Sequence, residues 1–296
     1  MMIEKVSVVI PVYGQWNLVK RNIDSLLKYD HDLIEEIIVV DDCSPEANLY
    51  PFNKQFVQVI KNPENLGYTG TVNKGLKTAK SDIILLLDSD AYAVNSFIAR
   101  LLEKFHEDEK IGCIGVQTVD DFGKTTGSYQ FEPSTIGFIV GQQLEARLNR
   151  FLRWKNKNIL PYSCSVSFRR NCLEEMNFFD AVNFKVLEAD NDLSMRIHRS
   201  KWKLRFANDI VVSHQGGNSY KVNNNRVLLY HESRWKLLRK HGLITSPAIA
   251  RMLLTFRIKV EIIVFRLLHL IRRSKPVYLE KMEGRKIILE KTAYLN

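Results

Sequence analysis

The feature that most constrains this fold is a run of five aliphatic residues, Ile83 to Leu87, that ends directly in Asp88, Ser89 and Asp90. An aliphatic run without polar alternation is typical of a strand that is buried on both faces of a parallel sheet. In open α/β sheets, ligands bind beyond the carboxyl ends of the strands. Two carboxylates at such a place repel each other unless a cation neutralises them. A solvated turn after the strand is the alternative for this stretch taken alone.

Other segments predict the rest of the sheet. Runs rich in β-branched residues at 6–12, 37–40 and 56–60 alternate with helical spacing of apolar residues at 18–27 and 71–79. This alternation predicts an α/β fold with a mostly parallel sheet and flanking helices. Further strands are predicted at 111–116, 162–170, 204–207 and 210–213, and further helices at 97–105, 171–177, 187–200 and 223–242.

A second acidic pair, Asp41 and Asp42, follows the strand predicted at 37–40, and a polar loop with Asn65 and Gly67 precedes the aliphatic run. Because the carboxyl ends of parallel strands meet at one edge of a sheet, both acidic pairs are expected to face the same ligand. Carboxylates accept hydrogen bonds from a base or a ribose, and they hold divalent cations against phosphates. The pattern therefore predicts a site for a nucleotide that carries a diphosphate.

Two other nucleotide-binding motifs are excluded. The Gly-x-Gly-x-x-Gly dinucleotide fingerprint is absent after the first strand, where Pro11-Val12-Tyr13-Gly14 stands instead. The segment from Gly70 to Thr78 is not a P-loop, because Leu76 puts the following lysine out of register and the segment precedes its aliphatic strand.

Four motifs together resemble those of the family 2 glycosyltransferases of the GT-A fold. They are Val8-Val9-Ile10-Pro11-Val12-Tyr13, Val39-Val40-Asp41-Asp42-Cys43-Ser44, Asn65-Leu66-Gly67 with Asn73-Lys74-Gly75, and Leu87-Asp88-Ser89-Asp90. The resemblance covers roughly residues 6–242 and is nearest to transferases of bacterial cell-surface polysaccharide, such as rhamnosyltransferases. It implies a GT-A (Rossmann-like) catalytic domain over residues 1–220. Residues 221–296 would then form a basic, amphipathic helical extension.

The resemblance also implies roles for individual side chains. Asp90 and His214 would hold a divalent cation, Mn²⁺ or Mg²⁺. His214 ends a predicted strand and precedes two glycines, where backbone can approach a diphosphate closely. The residues that would bind the sugar nucleotide are Pro11, Tyr13, Asp41, Asp42, Asn65, Gly67, Asp88 and Ser89.

Three acids in five residues, Glu188, Asp190 and Asp192, open the helix predicted at 187–200. The backbone dipole favours acids in a first helical turn, so a purely structural role is one interpretation. Similar glycosyltransferases carry a Glu-Asp-x-Asp-Leu pattern whose second acid is the general base, and Asp190 matches that position. The glutamate that precedes this acid in the pattern is replaced by Ala189.

Composition predicts the compartment. The four cysteines form no Cys-x-x-Cys pair, and the N-terminal residues lack the features of a signal peptide. No apolar run approaches the roughly 18 residues that a spanning helix needs. These features predict a cytoplasmic protein with reduced thiols.

The positive charge is concentrated in the last third of the chain. Residues 197–296 carry 21 Lys and Arg against 6 Asp and Glu, whereas the whole chain has a net charge of +10. An amphipathic helix is predicted at 249–273. It packs on the domain or on a second copy of the chain, or it lies on an anionic membrane at its cytoplasmic face. No base-reading motif accompanies the charge, so a nucleic acid is not an expected partner.

The residues, together with the resemblance to family 2 glycosyltransferases, predict a metal-dependent, inverting hexosyl- or deoxyhexosyltransferase. It would move a sugar from a UDP- or dTDP-sugar to a hydroxyl of a glycan or lipid-linked glycan in surface polysaccharide assembly. A nucleotide-sugar-binding subunit without catalysis is an alternative, and Ala189 is the residue in its favour. A nucleotidyltransferase is disfavoured because its usual glycine-rich, lysine-bearing N-terminal loop is missing.

Overall fold

A computed structural model describes residues 4–52, 55–141, 144, 158–214, 224–271 and 276–292. The chain divides into two units. The first comprises Met1–Phe131 and Asn158–Ser219, and the second comprises Glu132–Lys157 and Tyr220–Asn296. The second unit therefore takes in an internal segment besides the C-terminal residues. The assignment of catalysis to residues 1–220 stays a prediction.

The elements of the first unit follow one another along an α/β chain. In order they are β1 (Val6–Val12), α1 (Trp16–Asp30), β2 (Ile34–Asp41), β3 (Val57–Lys61), α2 (Gly67–Thr78), β4 (Ile83–Leu87), β5 (Ala91–Ala93), α3 (Ile98–His106), β6 (Ile111–Val119), β7 (Tyr129–Phe131), β8 (Ile159–Pro161), β9 (Ser165–Arg169), α5 (Arg170–Glu175), α6 (Ala189–His198) and β10 (Lys203–His214). The helix α4 (Thr135–Val140), which lies between β7 and β8 in sequence, belongs to the second unit. The predicted α/β class is confirmed.

Eight of these strands form one sheet in the order β3-β2-β1-β4-β9-β6-β10-β5, and β7 pairs with β8 in a separate ribbon. The pairings of β1 with β2 and β4, of β2 with β3, and of β6 with β10 are parallel. Every residue of β1 and β4 is buried, as expected for aliphatic strands covered on both faces. The sheet is mostly parallel, as predicted.

The structure differs from the sequence-based expectation in the second half of the sheet. The strand β9 is antiparallel and lies between β4 and β6. The two strand segments predicted at 204–207 and 210–213 form one strand, β10, with a register irregularity between Ala207 and Val211. The short strands β5, β7 and β8 were not predicted, because three residues carry too little periodicity.

The motif Asn73-Lys74-Gly75 has a structural role. Asn73 exchanges two hydrogen bonds with the backbone of Phe179, at 2.7 and 3.0 Å. Gly75 lies where α2 presses on the sheet, and a Cβ there would come within 2.4 Å of Val9 Cγ1. The motif therefore fixes α2 closely against β1.

The second unit is helical. It contains α4, α7 (Asn224–Lys240), α8 (Pro247–Ile271) and α9 (Pro276–Thr292). Its core is formed by Phe138, Trp235, Leu238, Ile244, Ala250, Leu254, Ile258 and Ile288. The helix α9 was not predicted, and much of the stretch 136–154 lies outside the described residues. Across the described ranges, none of the helices has the length and apolar character that crossing a membrane requires.

We expect Gly75→Ala to lower the free energy of unfolding by up to about 2 kcal/mol, although alanine favours helix. Overpacking a core costs about 1–3 kcal/mol, against about 1 kcal/mol gained in helix propensity. Urea denaturation measures the change. Gly127→Ala is the matched control, because its Cβ would meet only the Tyr162 ring at an ordinary 3.5 Å. A Gly75→Ala protein as stable as the control would contradict the close packing.

Candidate active site

Asp88, Asp90 and His214 form a cluster at the carboxyl end of β4. The chain turns after β4, with Ala91 N donating to Asp88 O at 3.0 Å, and returns as β5. This short strand pairs antiparallel with β10, so that His214 lies opposite Ala91. Nε2 of His214 is 3.3 Å from Asp90 Oδ1 and 3.9 Å from Asp88 Oδ2. One ligand atom from each side chain lies within 4.8 Å of the others, which suits a metal ion.

The charges of this cluster are mutually dependent. Burial raises the pKa of Asp88, and the nearby Asp90 raises it further, whereas His214 and Tyr68 lower it. Burial disfavours protonation of His214, but its contacts with Asp90, Cys164 and Asp88 outweigh this effect and raise its pKa to about 11. The two carboxylates therefore favour positive charge between them, which a protonated imidazole or a divalent cation can supply.

Tyr68 connects this cluster to the turn before β9. Its hydroxyl donates to Asp88 Oδ1 at 2.8 Å and lies 2.9 Å from Ser163 Oγ. Burial and the charge of Asp88 raise the pKa of Tyr68 well above its ordinary value, so the hydroxyl keeps its proton. The backbone N–H of Ser163 in turn points at Asp190 Oδ2, 3.4 Å away. A chain of polar contacts therefore runs from Asp88 to Asp190.

The three acids at the start of α6 have different environments. Asp192 is buried and pairs with Arg196 at 2.9 Å. Glu188 is buried and accepts a hydrogen bond from Asn191 Nδ2 at 2.9 Å. Asp190 is half-buried, and its hydrogen bonds come from backbone N–H groups. Of the three carboxylates, Asp190 is the one suited to proton transfer.

The pKa of Asp190 supports this distinction. Burial, followed by the charge of Glu188, raises the pKa of Asp190 to about 6, against an ordinary value of 3.8. A carboxylate with a pKa near 6 is ionised at neutral pH but is a stronger base than an exposed aspartate. Perturbed carboxylates of this kind cluster at catalytic sites.

Asp41 and Asp42 lie together at the end of β2, and both are buried. Asp41 Oδ1 accepts the backbone N–H of Ser44 at 2.8 Å. Asp42 Oδ1 accepts the side-chain amide of Asn62 at 3.0 Å and the backbone N–H of Leu66 at 2.8 Å. Both acids thus also shape the loops around them.

The remaining predicted residues lie on loops or strand ends of the same unit. Pro11 is buried in β1, whereas the ring of Tyr13, just after β1, is 55% exposed. Asn65 Oδ1 accepts the N–H of Gly67 at 3.1 Å, which opens α2. Gly67 has φ of +75°, and a Cβ there would lie 3.0 Å from the Lys185 carbonyl oxygen. Ser89 is half-buried between the two acids of its motif.

The structure brings Asp88, Asp90 and His214 into one cluster and links Asp190 to it. Six of the eight predicted donor-binding residues lie in or just after the strands β1, β2 and β4, whose carboxyl ends share one edge of the sheet because they run parallel. The other two, Asn65 and Gly67, lie at or just before the start of α2. Sequence reasoning missed Tyr68 and Ser163. Tyr68 directly follows the Asn-Leu-Gly motif, and that position was the one available signal.

The model of the family described as glycosyl transferase family 2 matches residues 7–176. This stretch carries both acidic pairs, whereas Asp190 and His214 lie beyond it. A glycosyltransferase of Nostoc sp. is 26% identical over 188 residues, which is 62% of this chain and 56% of that protein. The poly(ribitol-phosphate) beta-N-acetylglucosaminyltransferase TarS of Staphylococcus aureus is 32% identical over 113 residues, 35% of this chain and 20% of TarS.

Solved structures share the fold. The mannosyltransferase PcManGT of Pyrobaculum calidifontis, in complex with GDP-Man and Mn²⁺, aligns with a TM-score of 0.58 and 14% identity, over 98% of this chain and 84% of that one. Residues 1–349 of S. aureus TarS, in complex with UDP-GlcNAc, align with a TM-score of 0.55 and 16% identity, over 97% and 81% of the two chains. The chain spans only about half of the Nostoc relative and a fifth of TarS in sequence.

We expect Asp190→Asn to raise the melting temperature at neutral pH. The folded-state pKa of about 6 exceeds the ordinary 3.8, so ionised Asp190 destabilises the fold above pH 6. Asparagine keeps an oxygen for the backbone donors and removes the charge. Each kcal/mol regained is worth about 2–4 °C.

The gain should shrink as the pH falls from about 6 toward 4, because the native carboxyl then takes up its proton. Thermal melts across this range measure it. Asp209→Asn is the control, and it should lower the melting temperature at neutral pH. Lys104 lowers the pKa of Asp209, so the ionised form of this carboxylate stabilises the fold. A melting temperature for Asp190→Asn below that of the wild type at neutral pH would contradict the prediction that ionised Asp190 destabilises the fold.

Proposed function

Since the chain belongs to glycosyl transferase family 2, we propose that it moves a sugar from a nucleotide-diphosphate donor to an acceptor hydroxyl with inversion. The observation that carries the proposal is the Asp88, Asp90 and His214 cluster, with Asp190 joined to it through Tyr68 and Ser163. The cluster offers a place for the diphosphate, and Asp190 offers a base. Both lie within one unit of the chain.

The donor is proposed to lie along the edge formed by β1, β2 and β4. The exposed ring of Tyr13, after Pro11, offers a flat face for the base. Asp41 and Asp42 are the acceptors for base N–H and ribose hydroxyl groups, while Asn65, Gly67 and Ser89 line the path toward the diphosphate. The UDP-GlcNAc complex of TarS favours a UDP-sugar over the other predicted donor, a dTDP-sugar.

The cluster fits a divalent cation, because it presents two carboxylates and one imidazole within reach of one ion. Asp90 and His214 would hold Mn²⁺ or Mg²⁺, with Asp88 beside them. The bound ion would supply Lewis-acid stabilisation of the departing nucleoside diphosphate. PcManGT, which is solved with Mn²⁺, supports this choice of ion.

Asp190 is proposed to take the proton of the acceptor hydroxyl. The oxygen then bonds to the anomeric carbon as the bond from that carbon to the diphosphate oxygen breaks, and the nucleoside diphosphate leaves. Attack opposite the leaving group inverts the anomeric centre. A polyol or glycan hydroxyl, free or lipid-linked, is the proposed acceptor, in keeping with the name of TarS as a poly(ribitol-phosphate) transferase.

Asp190→Asn should lower kcat by roughly 10²–10⁴-fold, because the general base is lost, while donor affinity stays near that of wild type. Wild-type kcat/KM should fall as the pH drops below about 6, since Asp190 is then protonated. Release of nucleoside diphosphate, with and without acceptor, measures both effects. The same variant is expected to be more stable than the wild type. A loss of activity without a loss of stability would therefore reflect the chemistry and not misfolding.

Asp192→Asn is the companion variant. It tests whether Asp192, the acid of α6 that pairs with Arg196, contributes directly to catalysis. Near-full turnover by Asp190→Asn would assign the base elsewhere. Donor binding with no acceptor-dependent release of nucleoside diphosphate by the wild type would instead favour the non-catalytic binding subunit.

Chelation of divalent cations should abolish transfer, and added Mn²⁺ should restore it. Asp90→Ala should weaken Mn²⁺ binding by about 10-fold or more, because a ligand oxygen is removed. Electron paramagnetic resonance of free Mn²⁺ measures this binding without any turnover. Asp209→Ala, which removes a carboxylate that pairs with Arg100 and Lys104, is the control. Full activity after exhaustive chelation would rule out the metal.

A further inference from the structure

The outward side of α8 is an uninterrupted apolar face. At 100° per residue, ten apolar side chains occupy an arc of about 120° with no polar residue inside it. Each of them is between 41% and 75% exposed. They are Ile249, Met252, Leu253, Phe256, Val260, Ile263, Val264, Leu267, Leu270 and Ile271. Scattered exposed hydrophobic residues are normal, but a continuous apolar face of this size marks a binding surface.

The described residues of the second unit do not cover this face, because α8 packs inward through its opposite side. Ala250, Leu254 and Ile258 are the buried residues of the helix and belong to the core of the unit. Arg257 is also fixed inward, since it pairs with Glu261 at 2.7 Å and donates to the carbonyl of Phe138. The orientation of α8 is therefore set by its own core. The ten apolar side chains are presented outward as a result.

Positive charge borders the apolar face. Lys259 and Arg266 are exposed and lie next to one edge of the arc. The helix itself carries four basic residues against one acidic residue, within a region of 21 Lys and Arg against 6 Asp and Glu from residue 197 onward. An apolar face bordered by positive charge is typical of helices that lie in the interface of an anionic bilayer.

We propose that α8 binds an anionic lipid surface, with its apolar face in the bilayer interface and Lys259 and Arg266 at the headgroups. A second copy of the chain fits less well. In an antiparallel pair of such helices the basic edges would lie on the same side, where like charges repel. The arc is also broader than the two positions per heptad that a two-stranded seam uses. The proposal does not depend on the reaction proposed above.

The test is co-sedimentation of the full chain with phosphatidylcholine vesicles, with and without phosphatidylglycerol. The triple variant Phe256→Gln, Ile263→Gln, Leu267→Gln should lower partitioning at least about tenfold, because it removes the centre of the apolar face. The control replaces three apolar residues of the first unit that are still more exposed, Leu49, Phe122 and Val182, by glutamine. Its partitioning should stay within about twofold of wild type.

A second variant, Lys259→Gln with Arg266→Gln, tests the charge without touching the apolar face. It should lower binding to vesicles that contain phosphatidylglycerol by several-fold, leave binding to pure phosphatidylcholine unchanged, and weaken the salt dependence. Equal partitioning of wild type and both variants would overturn the proposal. So would a wild-type dimer in lipid-free sedimentation velocity that the triple variant dissolves, since the face would then join two copies.

Discussion

The candidate site depends on the pairing of β5 with β10, two strands that lie far apart in the sequence. The chain leaves β4 at Asp88, turns back within three residues and adds an antiparallel edge strand to the sheet. That edge aligns Ala91 with His214 and so brings an imidazole from more than a hundred residues away to the two aspartates. Without this pairing, Asp88 and Asp90 would be two adjacent acids with no shared ligand geometry.

A second constraint joins the acids to the base. The antiparallel strand β9, next to β4, positions the turn that contains Ser163, and Asp88 N donates to the carbonyl of Cys164 at 3.0 Å. Tyr68 then lies between Asp88 and Ser163, whose backbone faces Asp190. These contacts form a continuous polar route from Asp88 to Asp190, the two residues proposed to serve the donor and the acceptor.

The parts of this structure that the sequence could predict are those with strong local patterns. The strand Ile83–Leu87 was predicted with its observed bounds, because five aliphatic residues are followed at once by acids. The antiparallel direction of β9 was not predictable, since Ser165–Arg169 has the composition of any buried strand and its direction is set by long-range pairing. Likewise, Tyr68 follows a recognised motif, but its contact with Asp88 exists only once α2 has packed on β1.

The altered acidic motif is the feature that most favoured a protein without catalysis, and the structure weakens that interpretation. Ala189 is buried, so a carboxylate at that position would be isolated from solvent. Glu188, one residue earlier, has φ of +73° at the start of α6, and its charge is the second cause of the raised pKa of Asp190. A neighbouring carboxylate, at position 188 instead of 189, therefore still raises the pKa of Asp190, the proposed base. The motif lacks the glutamate next to Asp190 in sequence, but the strained backbone conformation of Glu188 places a carboxylate near Asp190 in space.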